Sequence, residues 1–209
     1  MQYYSRRYGQ LPPATINLII VNAILFLATL INQDFMIRTF AMFPPESPLF
    51  RWWQIITHMF MHGGFWHILF NMYTLFLFGM VVERTIGTKK FLVYYFLCGL
   101  GAAALHIGVQ SLSGASLYVP TLGASGAVYG VLLAYAYLFP DNKLTLLFPP
   151  VTLSAKWMVL IFLAIELITG ITGTAEGVAH FAHLGGALMG WLLMVWWRKS
   201  HRLFNQNWW

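Results

Sequence analysis

Apolar residues run along this chain in six long stretches that are separated by short, more polar segments. An α-helix needs roughly 20 apolar residues to cross a bilayer, and neighbouring residues complete the shorter stretches. The pattern therefore predicts an all-α fold, a bundle of six transmembrane helices. The predicted spans are Thr15–Ile31, Trp66–Val82, Phe91–Val109, Ser125–Phe139, Trp157–Ile171 and Val178–Trp197.

The distribution of lysine and arginine predicts the orientation of these helices. With the N-terminus in the cytoplasm, ten of the twelve basic residues fall on the cytoplasmic side, which is the side that basic loops prefer. We therefore expect both termini in the cytoplasm, with residues 1–14 and 198–209 inside and a long outer loop at residues 32–64. The ten inner residues are Arg6, Arg7, Arg84, Lys89, Lys90, Lys143, Lys156, Arg198, Lys199 and Arg202, and the two outer ones are Arg38 and Arg51.

Composition supports the membrane setting. The chain is 59% hydrophobic and 9% charged, whereas an ordinary soluble domain is about 25% charged. We interpret residues 1–209 as a single membrane domain of a multi-pass protein, expected in the cell (plasma) membrane of a prokaryote. The net charge of +6 then serves topology and contact with anionic membrane lipids. No nucleic-acid partner is expected.

Four polar residues are predicted to lie at one depth near the outer surface. Three of the predicted helices run inward from that surface, and their early residues include His67, Asn71, Ser125 and His183. Polar groups within spans are costly and usually face a bundle interior or a cavity, so this cluster is a candidate functional site. A serine beside a histidine is the minimum set of groups for acyl transfer.

Each of these features also has a purely structural interpretation. Gly126-x-x-x-Gly130 and Gly186-x-x-x-Gly190 are spacings that let membrane helices pack closely. A serine in a membrane helix often bonds back to its own backbone, and a lone histidine is often a satisfied interior group. However, His183 and the two glycines after it share one helix face. Close packing there would press the imidazole toward the serine.

Taken in chain order, these motifs resemble those of the rhomboid intramembrane serine proteases of the six-helix type. Gly123-x-Ser125-Gly126 resembles the nucleophile motif, and the histidine with its two glycines resembles the motif of the general base. The resemblance extends over nearly the whole chain. Tyr129 stands where the family has a tyrosine that stacks on the catalytic ring. His62, His67 and Asn71 match the signature of the family's second helix, and Glu83-Arg84, followed by Gly87, resembles the polar end of that helix.

The resemblance implies a Ser125–His183 dyad that cleaves transmembrane protein substrates without a cofactor. We expect His183 to act as the general base. No carboxylate is obviously positioned to orient it, so we expect a dyad rather than a triad. The Asn71 amide, the His67 ring and the Ser125 backbone N–H are suited to an oxyanion hole. A helix-weakened substrate segment should be cut near its outer end, since intact helical peptide bonds are shielded. The oligomeric state stays open.

Other function classes predict different sequences. An α/β-hydrolase elbow needs glycine where this chain has Ala127, and no His-Glu-x-x-His zinc-protease string is present. The spacing of His58, His62 and His67 fits one helical face poorly, so no metal site is expected. A catalytically weak rhomboid-like binding module and a histidine-rich metal or haem protein remain the alternatives.

Two residues have open roles. Glu166 lies within the fifth predicted span, where a carboxylate is expensive. A structural role is favoured for it, because its position in the sequence places it nearer mid-span than the dyad. Gln54 follows Trp53 where many rhomboids carry Trp-Arg, so an arginine contact of the first loop is in question. Tryptophans beside Arg51 favour placing that loop at the lipid headgroups.

Overall fold

The computed structural model describes residues 11–114, 116–146, 149–173 and 179–203. Most of these residues are helical, which confirms the predicted helical membrane fold. The helices are α1 (Pro13–Ile31), α2 (Gln33–Phe40), α3 (Gln54–Thr57), α4 (Phe65–Thr74), α5 (Met80–Ile86), α6 (Thr88–Ser113), α7 (Ser125–Leu138), α8 (Ala155–Thr172) and α9 (His180–Lys199). Arg6, Arg7 and Val178 lie outside the described residues.

Four helices among the described residues are long and apolar enough to cross a membrane. They are Pro13–Ile31, Phe65–Ile86, Thr88–Ser113 and Ala155–Thr172. The second is one continuous helix in which a π-helical turn, Leu75–Gly79, joins α4 to α5. Helix α7 is apolar but has only 14 residues, so it is about 21 Å long at 1.5 Å per residue. That length is well short of the roughly 30 Å hydrocarbon core of a bilayer.

The all-α expectation needs one correction. Residues Lys143–Thr145 and Thr152–Ser154 form a short antiparallel hairpin between α7 and α8. The sequence there alternates threonine with leucine, a pattern that suits a strand. At the base of this hairpin the exposed Asp141 carboxylate bonds to Lys156 at 2.8 Å, and that ammonium lowers the pKa of Asp141.

Helix α7 lies at the centre of the bundle and contacts α4, α5, α6, α8 and α9. Glycines allow the closest of these approaches. A Cβ added to Gly186 of α9 would lie 1.9 Å from the carbonyl oxygen of Gly126 in α7, and one added to Gly130 would lie 2.5 Å from Cys98 in α6. A Cβ on Gly190 would meet the Tyr94 hydroxyl at 2.3 Å. The backbones of α7 and α9 therefore touch.

A buried carboxylate ties the start of α1 to the end of α5. Glu83 accepts hydrogen bonds from the backbone N–H groups of Ala14 and Thr15 at 3.0 and 2.7 Å, and from the Thr15 hydroxyl at 2.8 Å. The first N–H groups of a helix lack intrahelical partners, and a negative charge there is favourable. The Thr88 hydroxyl also donates to Glu83, which links α6 to the same point.

The loop at residues 32–64, which was expected on the outer side, is an ordered unit organised by one amide side chain. Gln54 is fully buried. Its Oε1 accepts from the backbone N–H of Arg51 at 3.0 Å, and its Nε2 donates to the carbonyls of Arg38 and Leu49, each at 3.2 Å. An amide both donates and accepts, so glutamine connects three parts of this loop. The arginine that many rhomboids carry here is not needed for that purpose.

Candidate active site

Ser125 is the first residue of α7, and the segment before it is shaped by a glycine. Gly123 has φ of +129°, a conformation that side chains rarely adopt. A Cβ there would also lie 2.8 Å from Nε2 of His67. The Gly123 N–H donates to the carbonyl of His58 at 2.9 Å. Glycine thus lets the chain turn into α7 and leaves room for an imidazole beside the serine.

His183 lies in the first turn of α9 and faces the start of α7. Its Nε2 is 2.8 Å from the Oγ of Ser125. The Tyr129 ring, one turn further along α7, stacks on the imidazole with centroids 4.4 Å apart and planes 9° from parallel. The structure therefore brings together the three residues that the sequence grouped at this position. The glycine contact between α7 and α9 fixes the separation of the two helices on which they lie.

A fourth group at this position was not expected there. The carboxylate of Glu166 on α8 lies 3.0 Å from Nδ1 of His183 and accepts a hydrogen bond from the Tyr129 hydroxyl. It also contacts Nδ1 of His180 at 2.6 Å. The expectation that no carboxylate approaches His183 is therefore wrong. Counting positions along the span placed Glu166 too deep, because it ignored the reach of a glutamate side chain and the position of His183 in the first turn of α9. The signal in the sequence was an acidic residue inside an apolar helix.

Two of the three residues expected to form the oxyanion hole, His67 and Asn71, lie on α4, and the third, Ser125, begins α7. The Asn71 side chain is buried, and its Nδ2 donates to the His67 carbonyl at 2.8 Å. A primary amide carries two N–H groups, so one donor remains. Nδ1 of His67 accepts from the Gly63 N–H at 3.4 Å. The His67 proton then lies on Nε2, which is the nitrogen beside Gly123.

His62 supports the ring of His67 from behind. The two rings meet edge to face with centroids 5.0 Å apart, and His62 is almost fully buried. Burial, together with the nearby His67, lowers the pKa of His62 to about 3. His62 is therefore neutral at ordinary pH and packs as an uncharged aromatic ring.

A small cavity opens beside Ser125. Its volume is about 10 Å³, roughly the space of one water molecule. Polar lining comes from His58, Thr121 and Ser125, and apolar lining from the adjoining turns of α6 and α9. Hydrolysis needs a water molecule next to the serine, and this cavity has the size and the polar groups to hold one. Within the described part of the chain, no three His, Cys, Asp or Glu side chains are arranged to hold a metal ion.

Comparison with known protein families identifies this architecture. The family model described as the Rhomboid domain matches residues 49–200, which include every helix that carries a site residue. The chain belongs to the rhomboid family. The matched region contains Ser125, His183 and Glu166, and it begins inside the outer loop of this rhomboid.

Curated relatives agree with that assignment. "Rhomboid protein 1, mitochondrial" of Saccharomyces cerevisiae is 32% identical over 144 residues, which are 66% of this chain and 39% of that one. "Rhomboid protease AarA" of Providencia stuartii is 31% identical over 156 residues, 69% of this chain and 55% of the relative. "Rhomboid protease GlpG" of Photorhabdus laumondii is 27% identical over 207 residues, 99% of this chain and 67% of the relative. This rhomboid thus spans about half the length of the first two.

Proposed function

We propose that this rhomboid is a serine endopeptidase that hydrolyses peptide bonds in or near the outer end of transmembrane segments. The observation that carries the proposal is the 2.8 Å contact between Ser125 Oγ and His183 Nε2, in a chain of the rhomboid family. A serine hydrogen-bonded to an imidazole is an activated nucleophile. Relatives named as rhomboid proteases support the same reaction.

The proposed reaction begins with attack of Ser125 Oγ on the scissile carbonyl carbon. His183 takes the serine proton on Nε2 and later donates it to the leaving amine. Water then attacks the acyl-enzyme, with His183 again acting as the base. The cavity beside Ser125 supports the supply of that water. Tyr129 keeps the imidazole plane in position by stacking.

A negative charge develops on the carbonyl oxygen of the substrate during the attack, and the protein must stabilise that charge. The proposed donors are the Ser125 N–H, which is among the N–H groups that a helix leaves unpaired, the Nε2–H of His67 and the remaining N–H of Asn71. The position of the His67 Nε2 beside Gly123 supports its role. Each donor of an oxyanion hole contributes roughly 3 kcal/mol to transition-state stabilisation. The short length of α7 supports a site below the membrane surface, where such donors are weakly screened.

The proposal includes a topology and a location. Helices α7 and α9 would complete six spans around the four long apolar helices, with both termini in the cytoplasm as the basic residues predict. The partners would be single-span membrane proteins and the surrounding lipids. The protein is an integral multi-pass membrane protein, and we propose the cell membrane of a prokaryote. Since several relatives are named as mitochondrial, fractionation of the native source is the test of location.

Two substitutions test the dyad. Ser125→Ala and His183→Ala should each abolish cleavage of single-span model substrates by the detergent-purified protein. Ser125→Ala should keep the melting temperature of the wild type within a few degrees, because it removes a single hydrogen bond. His183→Ala also removes the stacking on Tyr129 and the contact with Glu166, so it should melt lower and is assayed well below its own melting temperature. A fluorophosphonate should label the wild-type protein at Ser125. Near-normal turnover by either variant, or an adduct on another residue, would exclude the dyad.

The position of the cut and the oxyanion role have separate tests. Cleavage should lie toward the outer end of the substrate helix, and it should speed up when glycine or proline is placed there, since these residues weaken a helix by about 1 and 3 kcal/mol. Asn71→Ala should lower kcat more than it raises KM, because its partner exists only along the reaction path. Cuts near the cytoplasmic end would contradict the proposed site. A change confined to KM would assign Asn71 to substrate binding.

Two other functions remain testable. A binding-only rhomboid would hold transmembrane partners without cutting them, and the hydrogen-bonded serine and histidine argue against it. A metal or haem protein would need ligands beyond the poorly spaced histidines. Metal analysis and an absorption spectrum of the purified protein distinguish that function from proteolysis.

A further inference from the structure

Glu166 needs a physical reason to lie inside an apolar helix, because a carboxylate is costly there unless it has partners. Its two oxygens meet groups from two other helices. Oε1 accepts from the Tyr129 hydroxyl and lies 3.0 Å from Nδ1 of His183. Oε2 lies 2.6 Å from Nδ1 of His180. The carboxylate thus contacts both the proposed base and the ring that stacks on it.

The two nitrogens of His183 have opposite partners. Nε2 faces the Ser125 hydroxyl at 2.8 Å, and Nδ1 faces the Glu166 carboxylate at 3.0 Å. The hydrogen bond from the Tyr129 hydroxyl favours the carboxylate form of Glu166, and a carboxylate has only acceptor sites. An ionised carboxylate repels the lone pair of an unprotonated Nδ1. It therefore favours the tautomer in which Nδ1 carries the proton and Nε2 is free to accept one.

The contact between Glu166 and His183 acts mainly through charge. Within the described residues, Nδ1 of His183 has no hydrogen-bond partner of good geometry, although the carboxylate is 3.0 Å away. Both side chains are only 11% exposed, so water screens their interaction weakly. When His183 takes a proton, the resulting cation lies directly against the carboxylate. The same carboxylate fixes the Tyr129 hydroxyl and, through it, the stacked ring.

We propose that Glu166 is a positioning residue that sets the tautomer of His183 and stabilises the positive charge that this ring acquires when it takes the serine proton. This inference rests on the proposed function. In the first step, Oγ of Ser125 forms a bond to the carbonyl carbon, its proton moves to Nε2, and the carbonyl π electrons move onto oxygen. In the second step, the proton passes to the amine nitrogen as the carbon–nitrogen bond breaks. Glu166 keeps its negative charge throughout.

A purely structural role for Glu166 predicts a different result. Its contact with His180 joins α8 to the first residue of α9, so the carboxylate would only hold these helices together. Removing its charge would then lower the melting temperature. The tautomer of His183 and the kcat of the folded protein would stay as they are in the wild type.

Three variants separate the two roles. Glu166→Gln keeps the size of the side chain and removes its charge, and Glu166→Asp keeps the charge on a shorter side chain. Glu46→Gln is the matched control, because Glu46 is an exposed glutamate of the outer loop. We would measure kcat and KM on a single-span substrate, the melting temperature, and the ¹⁵N signals of histidine-labelled protein in detergent. A His183→Gln sample identifies the signals of that ring.

For Glu166→Gln we expect kcat to fall about 100- to 1,000-fold, less than the roughly 10⁴-fold loss when a triad aspartate becomes asparagine. KM should stay within about threefold, since the effect is on the reacting base rather than on substrate contacts. The His183 signals should change from a single Nδ1–H form to a mixture of tautomers. Glu166→Asp should recover at least about tenfold of the lost kcat, and Glu46→Gln should match the wild type.

The inference is overturned if Glu166→Gln keeps the wild-type His183 signals, or if its kcat stays within about threefold of wild type. The ring signals do not depend on proteolysis. If the wild-type protein cleaves no substrate, the proposed function fails, and the ¹⁵N spectra of Glu166→Gln and Glu166→Asp still decide whether the carboxylate controls the ring.

Discussion

The closest backbone contact in the site should make this protein unusually sensitive to one added methyl group. A Cβ at Gly186 would lie 1.9 Å from the Gly126 carbonyl oxygen, whereas ordinary contact begins at 3.4 Å. The obstacle is backbone, so no side chain can turn aside. In Gly186→Ala, α7 and α9 must therefore move apart by about 1.5 Å at this point, the distance by which the contact is too short.

This displacement occurs next to the dyad. Gly126 follows Ser125 directly, and Gly186 lies one turn after His183, so the 2.8 Å hydrogen bond would stretch beyond 4 Å, outside hydrogen-bonding range. A misplacement of about 1 Å can cost a hundredfold in rate. Overpacking costs about 1–3 kcal/mol in stability, and alanine returns about 1 kcal/mol of helix propensity over glycine. We expect kcat to fall about 100-fold and the melting temperature to fall by only a few degrees.

The assay is cleavage of a single-span reporter together with thermal unfolding followed by tryptophan fluorescence, both in the same detergent. Gly108→Ala is the matched control, because it is also a helical glycine but its added Cβ meets nothing within 4 Å. That variant should keep full activity and melt slightly higher. The reasoning is refuted if Gly186→Ala keeps kcat within about threefold of the wild type.

Two further predictions concern stability. Glu83→Gln should lower the stability by roughly 2–4 kcal/mol, because the charged acceptor of four hydrogen bonds is lost; thermal unfolding measures this, and a melting temperature equal to that of Glu46→Gln would contradict it. Acidification from pH 7 to pH 5 should also lower the melting temperature, because burial lowers the pKa of His58 to about 4 and that of His62 to about 3. Histidines of the unfolded chain have a pKa near 6.5, so below pH 6.5 the unfolded chain binds more protons than the folded one. The stability that depends on these neutral rings is therefore fully present above pH 6.5. Below that pH, each buried ring lowers the free energy of unfolding by about 1.4 kcal/mol per pH unit. A flat melting temperature over this range would contradict the burial argument, and replacing the exposed His201 by Gln should leave the slope unchanged.

The apolar pattern predicted the long helices because each one must be apolar along most of its length. The predicted span Phe91–Val109 lies within Thr88–Ser113, and the predicted Ser125–Phe139 agrees with α7 to one residue. Helix α2 was not predicted: it has eight residues and lies outside the apolar stretches. The strands of the hairpin between α7 and α8 have three residues each, so the alternation of leucine with polar residues is too short to predict a strand against the apolar background.

The grouping of the site residues followed from counting depth along three helices predicted to run in the same direction. That argument brought His67, Asn71, Ser125 and His183 to one level, and the structure has Ser125 and His183 in contact. The stacking of Tyr129 on His183 was expected from the family resemblance. The depth argument failed for Glu166, because a span position does not say which way a side chain points or how far it reaches. The sequence also did not predict that Gln54 would bind the backbone of both Arg38 and Arg51. These backbone groups are positioned by turns that no residue pattern specifies.

The π-helical turn at Leu75–Gly79 has a consequence for the phase of its helix. Asn71 and Glu83 are twelve residues apart, and in a regular α-helix at 100° per residue their side chains would point about 120° apart. A π-turn accommodates one extra residue and removes about 100° of that difference, so both side chains face inward, and both are buried. If the turn became regular α-helix with all its residues kept, the difference of about 120° would return, and the helix could direct Asn71 or Glu83 into the bundle, but not both. Deleting one residue from the turn would instead leave the two side chains about 20° apart, so both would still face inward.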